Sequence, residues 1–250
     1  MNLLAQTPRT VLVTGAARRV GAAIVRLQHA AGWNVVIHAH RSFAEAEALA
    51  AELNAVRVQS AAALRADLAD ASALAGLARQ ACDRFGRLDA LVNNASTYYK
   101  TPLGEISAAQ IDDLVASNLR APLLLTQACA PLLGDGGCII NLLDTQVRQP
   151  RPPFAAYYAA KAGLWAQTEA LALELAPRLR VNGVAPGHTL WTDDGSGIEV
   201  HERADELARI PLGRLAGAIE IARAVRFLLS DDASYITGAI LPVDGGLRLR

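Results

Sequence analysis

Short apolar runs alternate with longer stretches of helical periodicity along the whole chain. Arg9-Thr10-Val11-Leu12-Val13-Thr14 is an apolar run closing at Gly15 and predicts a buried strand, with a helical pattern following to Ala31. Trp33 to Ala39 predicts a second strand, Phe43 to Leu53 a helix, Val56 to Leu64 a third strand, and Ser72 to Phe85 another helix. Leu88 to Val92 reads as the fourth strand, and Ile106 to Leu133 as a long helical region broken at Pro122. Gly136-Gly137 leads into a fifth strand, Cys138 to Leu143. Ala155 to Ala176 is rich in Ala, Leu, Glu, Lys and Gln with no internal proline, and predicts a long helix. Arg180 to Val184 is the sixth strand, Ile219 to Leu229 the last helix, and Ile240 to Gly246 a last strand and turn. Between His188 and Ile210 the periodicity fails, which predicts a long loop carrying one short helix, Val200 to Ala208. Strands alternating with helices, with no linker or repeat, predict a single doubly wound α/β domain. Its sheet is expected to be mostly parallel and seven-stranded, with helices on both faces.

Composition agrees with that architecture. Of the 250 residues 52% are hydrophobic and only 5% aromatic, and small apolar side chains suit a sheet covered closely on both faces. Lys and Arg number 24 against 24 acidic residues, so no overall charge directs the chain to nucleic acid or an anionic membrane. The three cysteines, Cys82, Cys129 and Cys138, are too widely spaced for a disulfide framework or a zinc pattern. Met1 to Thr10 has no apolar h-region and no run reaches 18 apolar residues, so a reducing cytoplasm is the expected setting.

The chemistry-bearing residues fall where strands end. Gly15-Ala16-Ala17-Arg18-Arg19-Val20-Gly21 joins the first strand to its helix, and a glycine-bearing turn opening a helix is a phosphate cradle. The middle glycine of the usual pattern is absent, with Arg18 and Arg19 in the loop, so a plain strand-turn-helix connection stays open. The second strand ends in His38-Ala39-His40-Arg41-Ser42 with no acid before Glu45. A site that selects NAD places a carboxylate here, whereas His40, Arg41 and Ser42 suit the extra phosphate of NADPH. A metal pair from His38 and His40 is the weaker alternative, having no third ligand. Asp67-Leu68 is placed either to meet the adenine or to open the next helix. Asn93-Asn94-Ala95 ends the fourth strand where the sheet changes winding, within reach of backbone and ribose. Tyr98 and Tyr99 on the next loop read either as anchors or as a flat surface for a flat substrate. Asp144 ends the fifth strand and faces the ligand side of such a sheet. Tyr157 and Lys161, four apart on the long helix, share one face, and an ammonium beside a phenol favours its ionised form.

Thr14-Gly15 with Gly21, Asn93-Asn94-Ala95, Asn118, Tyr157-x-x-x-Lys161, Pro186-Gly187 and Asp244-Gly245-Gly246 stand in one order and spacing over essentially the whole chain. In this the chain resembles the short-chain dehydrogenase/reductase family, and within it the pteridine reductases, including dihydromonapterin reductases. Three features carry the finer resemblance: Arg18-Arg19 in the turn, the His-Ala-His-Arg-Ser strand end, and Asp144 where most members carry serine, 13 residues before the tyrosine.

That resemblance implies hydride transfer from NADPH to a pterin (dihydrobiopterin, dihydromonapterin or dihydrofolate), with a proton delivered to the adjacent ring nitrogen. It assigns proton donation to Tyr157, tuning of its pKa and a ribose contact to Lys161, proton relay to Asp144, and a water link from Lys161 to Asn118. Tyr98 would sandwich the pterin against the nicotinamide, while Ser96 and Arg19 would bond its polar edge or the cofactor phosphates. Trp191 is the substrate-facing candidate of the loop that also holds Asp193 and Asp194. The family resemblance further implies a homotetramer, an assembly in which Arg248 and Arg250 could reach a neighbouring site. Two other functions compete: a carbonyl reductase of 3-oxoacyl or sugar type, against which Asp144 argues, and a non-catalytic NADPH sensor, against which the intact Tyr157 and Lys161 argue.

Overall fold

A computed structural model describes residues 7–191 and 199–250. Seven strands form one sheet: β1 (Thr10–Val13), β2 (Asn34–Ala39), β3 (Ala61–Arg65), β4 (Leu88–Asn93), β5 (Leu133–Leu142), β6 (Arg180–Pro186) and β7 (Ile240–Val243). Their order is β3-β2-β1-β4-β5-β6-β7, and every neighbouring pair is parallel. The winding therefore reverses between β1 and β4, which opens a crevice beyond their carboxyl ends.

Parallel strands need crossovers, and the helices supply them on both faces. One face is covered by α1 (Arg19–Ala30), α2 (Phe43–Val56) and α8 (Ala218–Leu229), whose Ile24, Leu49 and Val225 meet Val11, Val35 and Ile140 of the sheet. On the other face α3 (Ala71–Asp83), α5 (Ala121–Cys129) and α6 (Ala155–Leu175) bury Leu74, Leu125 and Leu171 against Leu12, Leu91 and Ile139. The central strands β1 and β2 are buried along their whole lengths, which is why they read as unbroken apolar runs.

The structure differs from the sequence-based boundaries at two places that matter. The third strand begins at Ala61, not Val56, because α2 runs on through Val56. Asn54 of that helix caps the strand's start: its Oδ1 accepts from the N–H groups of Ser60 (2.9 Å) and Ala61 (3.0 Å), and its Nδ2 donates to the carbonyl of Ala61 at 2.9 Å. The second difference is the helix break, which lies at Ala116–Arg120 rather than at Pro122. There, a π-helical turn separates α4 (Ala108–Val115) from α5. Pro122 sits in the first turn of α5, where a missing N–H removes no helical bond.

Candidate active site

The cofactor end is built from close backbone approaches. Gly15 has φ +59°, and a Cβ there would lie 2.9 Å from the Cα of Ala95. A Cβ on Gly21 would stand 2.6 Å from the Gly15 carbonyl oxygen and 2.7 Å from Nδ2 of Asn94, so α1 could not come so near β1 with any larger residue. Thr14 and Asn94 tie the two strand ends across the crevice. The Thr14 hydroxyl oxygen accepts from the N–H groups of Asn94 (2.9 Å) and Ala95 (3.0 Å). Asn94 Nδ2 returns bonds to the carbonyls of Thr14 (2.8 Å) and Gly15 (3.0 Å). Where the usual middle glycine is missing, Arg19 takes φ +54°, a left-handed conformation that a side chain rarely adopts outside functional loops. Arg18, at the helix start, pairs with Glu45.

His38 is a structural member of this turn, a role its sequence position did not suggest. The Gly15 N–H donates to its Nδ1 at 3.2 Å and its Nε2 donates to the Ala66 carbonyl at 3.1 Å, which makes it a neutral imidazole. Burial holds its pKa down at about 4. Both ring nitrogens are thus engaged, and among the described residues no three metal-ligating side chains converge. His40 lies 3.8 Å from Asp67, with Arg41 beside it at the exposed end of β2. Asp67 does not open the next helix; Asp70 caps it by accepting from Ser72 N–H at 2.9 Å, while Asp67 accepts from Ala69 N–H at 2.9 Å within the loop.

The reactive end lies at the tips of β4, β5 and β6, opening into a cleft of about 550 Å3. Asp144 follows β5, and its Oδ1 accepts from the Gln146 N–H at 2.8 Å, which orients the carboxylate. Its Oδ2 accepts from the Tyr157 hydroxyl at 3.0 Å. One turn further along α6, Lys161 Nζ donates to the Leu142 carbonyl at 2.9 Å and stands 5.9 Å from the centre of the Tyr157 ring. Burial lowers the Lys161 pKa to about 8, with Asp144 opposing it. Burial also raises Asp144, against the bonds from Gln146 and Tyr157 and the charge of Lys161. The Tyr157 phenol is pushed well above its usual value, first by burial and then by Asp144. The expected lowering of this phenol by Lys161 is therefore outweighed by the low-dielectric setting.

Gly15, Arg18, Arg19, Val20 and Gly21 line the cleft at its cofactor end, with Asn94, Ala95, Pro186 and Gly187 beside them. Ser96, Tyr98, Asp144, Tyr157, Lys161 and Trp191 line the rest. His40, Arg41, Ser42, Asp67 and Leu68 stand outside this lining, at the ends of β2 and β3, and Asn118 lies behind it. Asn118 is wholly buried: its Oδ1 accepts from Ser96 at 2.6 Å and its Nδ2 donates to the carbonyls of Thr97 (2.9 Å) and Leu114 (3.0 Å). It braces the Ser96–Thr97 loop, and the Ser96 hydroxyl is committed to it. Tyr98 stacks on Phe154 with ring centres 4.6 Å apart and meets the Tyr157 ring edge-on at 4.8 Å, so one of its faces is already covered. Tyr99 is an anchor, its hydroxyl donating toward Asp113 Oδ2 at 3.0 Å and the Gln110 carbonyl at 3.1 Å. Asp193 and Asp194 lie outside the described residues.

Six lining residues were not singled out from the sequence, Leu142, Leu143 and Thr189 among them. Gln146 follows Asp144 by two, and His188 and Leu190 follow the Pro186-Gly187 turn. His188 belongs to a buried ion cluster: Glu206 of the short helix α7 (Arg203–Ala208) accepts from Arg151 at 2.7 Å, His188 at 3.1 Å and Arg209 at 3.2 Å. This cluster docks α7 against the mouth of the cleft, beside Trp191, whose ring centre is 5.5 Å from that of His188.

A family profile described as enoyl-(acyl carrier protein) reductase matches residues 15–248. Pteridine reductase 1 of Leishmania tarentolae is 37% identical, over 97% of this chain and 97% of its own length. The chain belongs to the short-chain dehydrogenase/reductase family. A 3-oxoacyl-[acyl-carrier-protein] reductase of Staphylococcus aureus is also similar, at 36% identity over 96% of this chain and 98% of the relative. An oxidoreductase of Mycobacterium tuberculosis is 38% identical over 96% of this chain and 92% of its own. Membership in the short-chain dehydrogenase/reductase family makes the protein an oxidoreductase that uses a nicotinamide cofactor. The names of these relatives span several substrates, so the discrimination falls to the site itself.

Proposed function

We propose that the protein reduces a dihydropterin to the tetrahydro form at the expense of NADPH. The observation that carries this reading is the 3.0 Å hydrogen bond from Tyr157 to a carboxylate, Asp144, at the position where a carbonyl reductase uses a hydroxyl. A hydroxyl there serves by donating to an oxyanion. A carboxyl raised by burial serves differently, because it can hold a proton and hand it on.

The residues present fit a dinucleotide. Gly15 and Gly21 let β1, α1 and the end of β4 close up into a tight turn that lines the cleft, the start of α1 turns its N–H groups toward it, and Arg18 and Arg19 add positive charge. His40, Arg41 and Ser42, with no carboxylate among them, favour the 2′-phosphate of NADPH. When bound, NADPH supplies the hydride. Everything else is the work of the chain. Lys161, fixed by the Leu142 carbonyl, would bond the ribose of the cofactor. Tyr98, backed by Phe154, offers its second face to a flat ring. Tyr157 gives its proton to the ring nitrogen beside the carbon reduced, and the proton held by Asp144 restores the phenol. Solvent then recharges Asp144 through the open cleft. Asn118 supports this by holding the Ser96–Thr97 loop, and the water link expected of it toward Lys161 stays part of the proposal.

The second reading, reduction of a 3-oxoacyl thioester, is favoured by the similarity to the Staphylococcus aureus enzyme. Following NADPH absorbance with dihydrobiopterin, dihydrofolate and an acetoacetyl thioester separates the two. Turnover of the pterins is expected, and turnover of the thioester alone contradicts the proposal. NADPH binding without turnover of any substrate indicates a sensor.

A further inference from the structure

Gln146 is more than nine-tenths buried, lines the cleft, and its Nε2 has no hydrogen-bond partner among the described residues. Its other polar atoms are engaged. The main-chain N–H donates to Asp144 Oδ1 at 2.8 Å, and Oε1 accepts from the Tyr158 hydroxyl at 3.2 Å. With the Tyr158 hydroxyl donating to Oε1 and the main-chain N–H tied to Asp144, the side-chain amide is left with a donor that nothing among the described residues receives.

A buried donor left unmatched is unfavourable, and native proteins rarely keep one without a use. We propose that Gln146 is a specificity-determining residue whose amide nitrogen donates to a hydrogen-bond acceptor on the substrate, the exocyclic carbonyl oxygen of a flat heterocycle. This rests on the pterin reading above and deepens it. The nitrogen is shielded from water beneath the cleft wall, and the substrate reaches it through a small side-chain adjustment of the kind binding commonly brings. Because the same residue bonds Asp144 through its main chain, a substrate read by the amide is set in register with the proton-delivering pair. The side-chain amide itself takes no part in proton transfer, so its removal should act on binding rather than on chemistry.

The test uses Gln146→Met, which keeps the volume and removes the donor, and Tyr158→Phe, which frees Oε1 and lets the amide turn. Binding of dihydrobiopterin to the NADP+-loaded protein is measured by calorimetry, alongside NADPH affinity and steady-state kinetics. The expected result for Gln146→Met is a rise of about 10- to 100-fold in both the dihydrobiopterin Kd and KM. NADPH affinity and kcat should stay within about threefold of wild type. Tyr158→Phe should show a smaller rise in the same direction. Unchanged pterin affinity in Gln146→Met with wild-type NADPH binding overturns the proposal. Should that variant fail to bind NADPH, an unchanged pterin Kd in Tyr158→Phe overturns it instead. A wild-type protein that neither binds nor reduces dihydrobiopterin removes the pterin reading together with this one, whereas an active wild type with indifferent variants removes only the role of Gln146.

Discussion

The hydroxyl of Tyr157 donates to Oδ2 of Asp144 across 3.0 Å, while Gln146 N–H holds the other carboxylate oxygen at 2.8 Å. Burial drives both groups toward their protonated forms. A phenol beside a carboxyl shifted toward its acid form suits delivery of a proton to a basic ring nitrogen. Removing the phenol tests the arrangement simply. Tyr157→Phe should lower kcat by about 10²- to 10⁴-fold, as measured by NADPH oxidation, with NADPH affinity little changed.

The same burial makes Asp144 a liability for folding. Its folded pKa lies above the unfolded value, so the unfolded state releases its proton first as pH rises. The resulting loss of stability begins as pH passes the unfolded pKa near 3.8 and is complete above the raised folded value. Asp144→Asn should therefore raise Tm at pH 7, by roughly 2–4 °C for each kcal/mol relieved, and the gain should vanish in acid. Thermal melts from pH 3 to 8 check the sign.

Arg19 holds φ +54°, which glycine adopts at no steric cost. Arg19→Gly should leave the fold as stable or stabilise it by about 0.5–1 kcal/mol, the relief of strain being partly offset by a freer unfolded chain. The lost charge should weaken NADPH by about tenfold. Denaturant unfolding and a cofactor titration on the same preparation separate the two effects.

The proposed preference for NADPH rests on the exposed residues that follow β2. Arg41→Glu places a carboxylate where a 2′-phosphate would meet His40 and Ser42. The ratio of kcat/KM for NADPH over NADH should fall by about 10- to 100-fold. An unchanged ratio would remove this strand end from the phosphate site.

The central strands were legible because each is buried on both faces and so unbroken in apolar character, as Val11-Leu12-Val13 and Val35-Val36-Ile37 are. The edge strand was not. Val56 and Val58 look like strand residues but are each 80% exposed, at the end of α2 and just past it, while Ala61 to Ala63 carry too little bulk to announce a strand. Pro122 drew attention away from the real helix break, whose cause is Asn118 turning its amide to the Leu114 carbonyl and the Thr97 loop. Tyr157 and Lys161 could be read because they lie one helical turn apart, and Asp144 because it ends a strand at the position where the resembled family carries serine. Gln146, His38 and Glu206 hold no such position, and their bonds to Tyr158, Gly15 and Arg151 emerge only when separate elements pack together.

In the proposed reaction a carboxyl at position 144 directs proton delivery to nitrogen rather than to a carbonyl oxygen. Asp144→Ser measures it: the ratio of kcat/KM for dihydrobiopterin over an acetoacetyl thioester, compared between wild type and variant. We expect wild type to favour the pterin and the variant's ratio to fall by about 100-fold or more, with thioester reduction retained. A wild type that favours the thioester, or a ratio unmoved by the substitution, would contradict the account.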